Sequence, residues 1–235
     1  MPSRGAIVPH AGYQFSGAVA GDTFSRLTIS RRCVILGPNH TGWGPSWSLM
    51  ADGAYATPLG EVPIDEPLAH ALLDACPLLV ADHLAHKGEH AIEVELPFLQ
   101  WLRPQDLAIV PLVVGSEDAE EFSQVAEALV RVVAQVHEPV LLLASSDFTH
   151  YESREHAANK DAQLIEAIHT VDAQRFVQRV HELRSSMCGY GPVACLLGAA
   201  RRLGATHAQL IRYATSADAG GDPHSVVGYA GIIFN

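Results

Sequence analysis

Short β-branched and aliphatic runs punctuate the chain: GAIVP, CVILGP, SWSLM, LAIVPLVVG, PVLLLASS, AQLIRYA and VVGYAGIIF. Between most of them apolar residues recur at helical spacing, which predicts helices over residues 17–27, 64–75, 91–102, 119–136, 155–170, 173–183 and 192–203. The nearly continuous apolar character of CVILG and VLLLA suits central strands covered on both faces. The alternation of strands with helices predicts an α/β fold in three layers, with a central mixed, mostly parallel sheet flanked by helices. A length of 235 residues predicts one domain over 1–235.

Two of the helices show the local logic. In 119–136, Phe122, Val125, Leu129, Val132 and Val136 form one apolar stripe while acidic residues crowd the first turn, where they complement the helix dipole. That helix reads as scaffold. In 192–203, Pro192 suits the first helical position and Gly204 the residue just past the end, so the amino end points toward Cys188.

Composition narrows the classes of function. The chain is 48% hydrophobic and 17% charged with scattered prolines, the profile of a packed globular protein. A formal charge of -11 repels phosphate backbones and anionic membrane surfaces, so neither nucleic acid nor membrane is an expected partner. No apolar run approaches the ~18 to 20 residues of a membrane helix. The opening MPSRG shows no charged leader ahead of an apolar region, and a cytoplasmic location is expected by default. The four cysteines form no CxxC pair and are expected as thiols. Cys33, Cys76 and Cys195 suit small buried hydrophobes; Cys188 does not.

In open α/β sheets ligands bind beyond the carboxyl ends of the strands. VPHAGYQFSG places His10 at one such end and ILGPNHTGWG places His40 at another, each among small residues that admit a ligand. A third end, SSDFTHYE, supplies Asp147 and His150, spaced to share a tight turn in which the carboxylate fixes a tautomer or holds a proton while the imidazole acts as acid or base. Ser146 or Asp147 could equally cap the helix that follows. MCGYGP sets Cys188 just ahead of a helix amino terminus, where the dipole favours thiolate, a nucleophile or metal ligand. HKGEHAIEVELPFLQ supplies His86, His90 and Glu93; on a helix His90 and Glu93 share a face, which serves metal ligation or support behind a ligand. The plainer alternative is a surface helix start with Glu89 at its positive end. His70, His137, His156, His169, His181 and His207 read as solvated. Tyr13, Trp43 and Tyr190 could stack on a planar ligand or simply pack.

The ordered set PHAGYQFSG, LGPNHTG, EHAIEVELPFLQ, SSDFTHYE and MCGYGPVACLL resembles the Memo family, whose prokaryotic members are labelled AmmeMemoRadiSam system protein B. The resemblance spans nearly the whole chain. It implies a fold similar to that of class III extradiol dioxygenases, non-haem iron enzymes that bind Fe(II) with two histidines and a carboxylate. It implies His10, His40 and Cys188 as metal ligands, with cysteine in the carboxylate's place. It further implies His150 as the acid/base residue beside Asp147, and His90 and Glu93 lining the cavity or orienting ligands. Fe(II) is the foremost cofactor, with Cu or Zn as alternatives, since thiolate is softer than carboxylate. A radical-SAM protein and an AMMECR1-like protein are the implied partners, and a small molecule the implied substrate.

Three functions are compatible with these residues. The first is a metal-dependent oxidoreductase. The second is a non-catalytic protein that binds or delivers a redox metal. The third is an acyl transferase or amidase with Cys188 as nucleophile, His150 as base and Asp147 as orienter, which leaves His10 and His40 unexplained.

Overall fold

The computed structural model describes residues 4–235, so the expectation about the start of the chain falls partly on residues 1–3, outside the described residues. The chain runs β1 (Gly5–Val8), α1 (Tyr13–Phe24), β2 (Arg32–Pro38), β3 (Trp47–Leu49), β4 (Ala54–Thr57), β5 (Gly60–Pro63), α2 (Glu66–Ala75) and β6 (Val80–Ala81). A 3-10 turn (Glu93–Glu95) leads into α3 (Leu96–Leu102), followed by β7 (Ala108–Val114), α4 (Ala119–Val133), β8 (Val140–Ser145) and β9 (His150–Glu152). The carboxyl part holds α5 (Arg154–His169), α6 (Ala173–Glu182), α7 (Tyr190–Arg202), β10 (Ala208–Thr215), a second 3-10 turn (Ser216–Ala219) and β11 (Val226–Phe234).

The main sheet has the order β10-β11-β1-β8-β2-β7-β3-β6, with β9 added to β11. Its centre, β1-β8-β2-β7, is parallel, while β11 and β3 join it antiparallel on either side. The fold is therefore α/β with a mixed sheet flanked by helices, as the alternating pattern predicts. The parallel centre is where the continuous apolar runs lie: Val34, Ile35, Leu36, Leu142 and Leu143 are fully buried. Helix α7 is buried from Gly191 to Ala200 because it packs on β8 and β2 while α4 and α6 cover its outer side.

All seven predicted helices are present, with shifted ends. Helix α1 begins at Tyr13 and not at 17, and the 91–102 segment is α-helical only from Leu96, with Pro97 in its first turn. The small strands β4, β5, β6 and β9 were not predicted; they are two to four residues long and mostly exposed, so no apolar run announces them. Cys33, Cys76 and Cys195 are buried and free, and the six histidines read as solvated are exposed.

The strand ends are level. Val8 pairs with Ser145 and Leu36 with Ala144, so β1, β8 and β2 finish side by side at one edge. The loop after β8 is tied down by Asp161 of α5, a fully buried carboxyl whose Oδ1 accepts from the Thr149 N–H (3.1 Å) and hydroxyl (2.6 Å), with the Tyr213 hydroxyl 2.7 Å from Oδ2. Gly228 lies against that carboxyl so closely that any side chain there would overlap Oδ2.

Burial raises the Asp161 pKa, and the hydrogen bonds from Thr149 and Tyr213 only partly oppose it. A folded-state value above the unfolded one means that this group's stabilisation is complete below the unfolded value and is lost as pH rises through the folded one. Asp161→Asn is therefore expected to match the wild type in acid and to exceed it above that range. Asp161→Ala, which strands the Thr149 donors, is expected to cost about 2 kcal/mol. Urea unfolding at a series of pH values measures both.

Candidate metal centre

His10 follows β1 by two residues and is 1% exposed. Its loop is fixed by Asp147 Oδ1, which accepts from the backbone N–H of His10 (3.0 Å) and of Ala11 (3.3 Å). The ring Nδ1 lies 2.8 Å from Ser145 Oγ, and the Ser145 hydroxyl donates to Glu95 Oε1 at 2.9 Å. With the Ser145 proton given to Glu95, Ser145 Oγ accepts from Nδ1–H, the arrangement that leaves the Nε2 lone pair free. That Nε2 stands 3.4 Å from Cys188 Sγ. Burial, then the neighbouring His40 and His90, depress the His10 pKa well below the usual imidazole range, so the ring is neutral and fit to ligate.

His40, in the loop after β2, is held by Glu89. Its Nδ1 lies 2.9 Å from Glu89 Oε1 and its backbone N–H donates to Oε2 at 2.6 Å, while the Ala91 N–H donates to Oε1 at 3.0 Å. Glu89 is 3% exposed. Burial pushes its carboxyl upward, but these three hydrogen bonds outweigh it and hold the pKa at about 2. The carboxylate takes Nδ1–H and leaves His40 Nε2 open. The His10 and His40 rings meet edge to face with centroids 5.2 Å apart.

Cys188 precedes α7, and the Asp147 N–H donates to its Sγ at 3.3 Å. Gly189 lets this loop press on the end of β8: a Cβ there would collide with the Ser145 carbonyl oxygen and stand 2.6 Å from Ser146 Cβ. The expectation of a dipole-stabilised thiolate is not met in the ion-free protein. Burial, then the Asp147 carboxyl, pushes the thiol up to about 12, because desolvation outweighs a helix dipole that reaches only the first turn.

One ligand atom each from His10, His40 and Cys188 falls within 4.8 Å of the others. Bonds of about 2.0 Å to imidazole and 2.3 Å to thiolate at tetrahedral angles would separate nitrogen from sulfur by roughly 3.6 Å. The 3.4 Å between His10 Nε2 and Cys188 Sγ is close to that separation, so the three side chains fit one small first-row cation.

The other expected residues divide. His90 joins the cluster, stacked on His40 with centroids 4.8 Å apart and 5.4 Å from His10, but from a loop and not from a helix. Glu93 opens the 3-10 turn, is exposed, and its carboxylate makes no hydrogen bond or ion pair among the described residues; the shared helical face expected for the pair does not form. His86 lies apart, with Nδ1 3.0 Å from the Tyr55 hydroxyl.

Asp147 and His150 do not share a turn. The Asp147 carboxyl is pinned on backbone N–H groups, and His150 begins β9 with its N–H donated to Ser186 Oγ at 2.8 Å. Burial raises Asp147 to about 7 against those backbone bonds, and lowers His150. His150 Nδ1 is buried with no hydrogen-bond partner. The nucleophilic triad is not assembled, since the imidazole against Cys188 is that of His10. Tyr190 packs edge-on against Phe122 with centroids 5.9 Å apart, which makes it scaffold, while Tyr13 and Trp43 are about half exposed.

Sequence reasoning missed Glu89, Ser145 and Glu95. Glu89 was visible only as a helix-start acid. Ser145 and Glu95 carried one signal each, a polar residue closing an apolar strand and an acid inside the apolar VELPF. Glu95 is fully buried with Oε2 unpartnered, and burial sets its pKa well above the usual carboxyl range despite the Ser145 hydrogen bond.

Fold and site together define an α/β protein whose strand-end loops and the turn before α7 bring together a His/His/Cys cluster that could hold a metal ion. The family model described as Memo-like protein matches residues 1–233. A MEMO1 family protein of Methanopyrus kandleri is 44% identical over 233 residues, covering 98% of this chain and 82% of that one. A MEMO1 family protein of Sulfolobus acidocaldarius is 38% identical over 235 residues, covering 99% and 82%. The chain belongs to the Memo-like family. The crystal structure of an uncharacterized protein from Escherichia coli K12 superposes with a TM-score of 0.64 at 15% identity, covering 98% of this chain and 99% of that one, a likeness of fold alone. Among the described residues no helix is long and apolar enough to cross a membrane.

Proposed function

We propose that the protein is a metal-dependent oxidoreductase of a small molecule, a single domain of the AmmeMemoRadiSam B type related to class III extradiol dioxygenases, with Fe(II) held by His10, His40 and Cys188. The observation that supports this most is the convergence of three ligand atoms within 4.8 Å, with both imidazoles fixed from behind by Ser145 and Glu89. When bound, such a cation supplies Lewis acidity and one-electron chemistry at its open positions. The chain supplies the rest. His150, whose pKa burial lowers, would take a proton from the substrate; Asp147 fixes the His10 loop; the half-exposed His90 ring borders the cluster. Free thiols agree with a cytoplasmic setting, where a radical-SAM protein and an AMMECR1-like protein would be its partners.

The test is oxygen uptake by protein purified anaerobically and reconstituted with Fe(II), assayed with a panel of phenols. Substrate-dependent uptake that disappears in His150→Ala with the metal retained is the expected result. Tight binding of Cu(I) with no turnover on any metal would favour the second reading, a carrier or store, which the soft sulfur ligand supports.

Loading is expected to release one proton from Cys188. Its thiol, pushed up to about 12, is protonated at neutral pH, and thiolate is the ligand. Calorimetric titration over the first equivalent of Zn(II) at about pH 8, above the ordinary imidazole range, in two buffers of different ionisation enthalpy counts that proton. A count of zero would remove sulfur from the ligand set.

A further inference from the structure

The cluster contains a second donor set. His40, Glu89 and His90 also offer one ligand atom each within 4.8 Å of one another, and His40 belongs to both sets. Its two ring nitrogens serve different neighbours: Nε2 is left for the site shared with His10 and Cys188, while Nδ1 faces Glu89 Oε1 at 2.9 Å. His90 Nδ1 lies 3.4 Å from that same carboxylate oxygen. Donors bound at about 2.0 to 2.2 Å to one cation stand roughly 2.9 to 3.5 Å apart for angles between square and tetrahedral, so both separations suit a common ion.

We infer that His40 bridges two cations, the second held at the rim by His40 Nδ1, Glu89 and His90. This rests on the proposed site of His10, His40 and Cys188 for the first cation. The second cation takes the place of the proton between Nδ1 and Glu89 Oε1, and that proton passes to the buffer. The His40 and Ala91 N–H groups continue to hold the carboxylate from behind, so the ligand is already oriented. The His90 side chain is 53% exposed, which leaves room for water to complete the coordination. Two imidazoles and a carboxylate suit a borderline divalent ion such as Zn(II), Co(II) or Cu(II) and not soft Cu(I). The two positions therefore differ in chemistry: a sulfur-bearing inner one and an oxygen-bearing outer one, coupled through a single imidazole ring.

Anaerobic titration of the full chain with Co(II) separates them, because only a thiolate ligand gives an intense near-ultraviolet charge-transfer band. The wild type is expected to take up two equivalents, one with that band and one with visible ligand-field bands alone. His90→Ala, a change at an exposed ring, is expected to keep the charge-transfer step and to weaken the second uptake at least about tenfold. Cys188→Ser is expected to lose the charge-transfer band. A single equivalent in the wild type, or a second uptake unchanged in His90→Ala, overturns the inference and leaves the inner site standing. Absence of the charge-transfer band in the wild type overturns the inner site, and the bridge with it.

Discussion

Cys188→Ala is expected to weaken metal binding by a factor on the order of 100 to 1,000, the largest effect of any single change at the site. Four-ligand structural zinc sites bind with about 10 to 16 kcal/mol, roughly 2.5 to 4 kcal/mol per ligand, and a thiolate carries the only negative charge in the His10, His40, Cys188 set. The protein itself is expected to survive. The change strands one donor, the Asp147 N–H now 3.3 Å from Sγ, which costs about 1 kcal/mol, and it removes a thiol that gains little from its desolvated place. Competition against a chelator of known affinity measures the loss, with thermal unfolding of the ion-free variant as the control for folding. Retention of one equivalent at near wild-type affinity would show that sulfur is not a ligand.

That His10 and His40 stand out in the chain as candidate ligands follows from the parallel centre of the sheet. Apolar runs mark β1, β2 and β8, parallel pairing brings their carboxyl ends to one edge, and whatever polar residues follow those runs are delivered together. His10, His40, Asp147 and His150 all obey this rule. Cys188 obeys a different one, being placed by the start of α7 and by a glycine that lets the loop touch β8.

What the sequence hides is who stands behind each candidate ligand. Asp147 lies 137 positions from the His10 N–H it accepts, and Ser145 lies 50 from the Glu95 it bonds. The first exists only once β1 and β8 are side by side, and the second only once the 3-10 turn packs on the end of β8, so no spacing rule reveals them. The same reason defeats the reading of Asp147 as the orienter of His150: proximity along the chain suggests a shared turn, while the neighbouring strand offers N–H groups that claim the carboxylate first. The state of the Cys188 thiol misleads for a related cause. A helix dipole is local and visible in sequence, whereas desolvation depends on elements packed from far away, and at Cys188 desolvation prevails. The unpredicted hairpin of β4 and β5 is the corresponding case for the fold, held by pairing between short, half-exposed segments and not by a buried run.

Glu89→Gln is expected to lower metal affinity at the His10, His40 and Cys188 site by about 10- to 100-fold, because it reverses a tautomer without removing a ligand of that site. The carboxylate accepts on both oxygens: Oε1 from His40 Nδ1–H and the Ala91 N–H, Oε2 from the His40 N–H at 2.6 Å. An amide has one acceptor and must present its NH2 to one side. Turned toward the His40 backbone, the NH2 meets another donor at very short range. Turned toward the ring, it donates to His40 Nδ1, moves the imidazole proton to Nε2 and so blocks the nitrogen that would face the metal. Either orientation leaves at least one buried donor unpaired, and the fold is expected to lose about 1 to 3 kcal/mol in urea. Nitrogen chemical shifts of His40 in the ion-free variant distinguish the two orientations, since only the second protonates Nε2. If Glu89→Gln binds metal as the wild type does while losing stability, Glu89 serves the loop alone and His40 needs no partner to hold its ring.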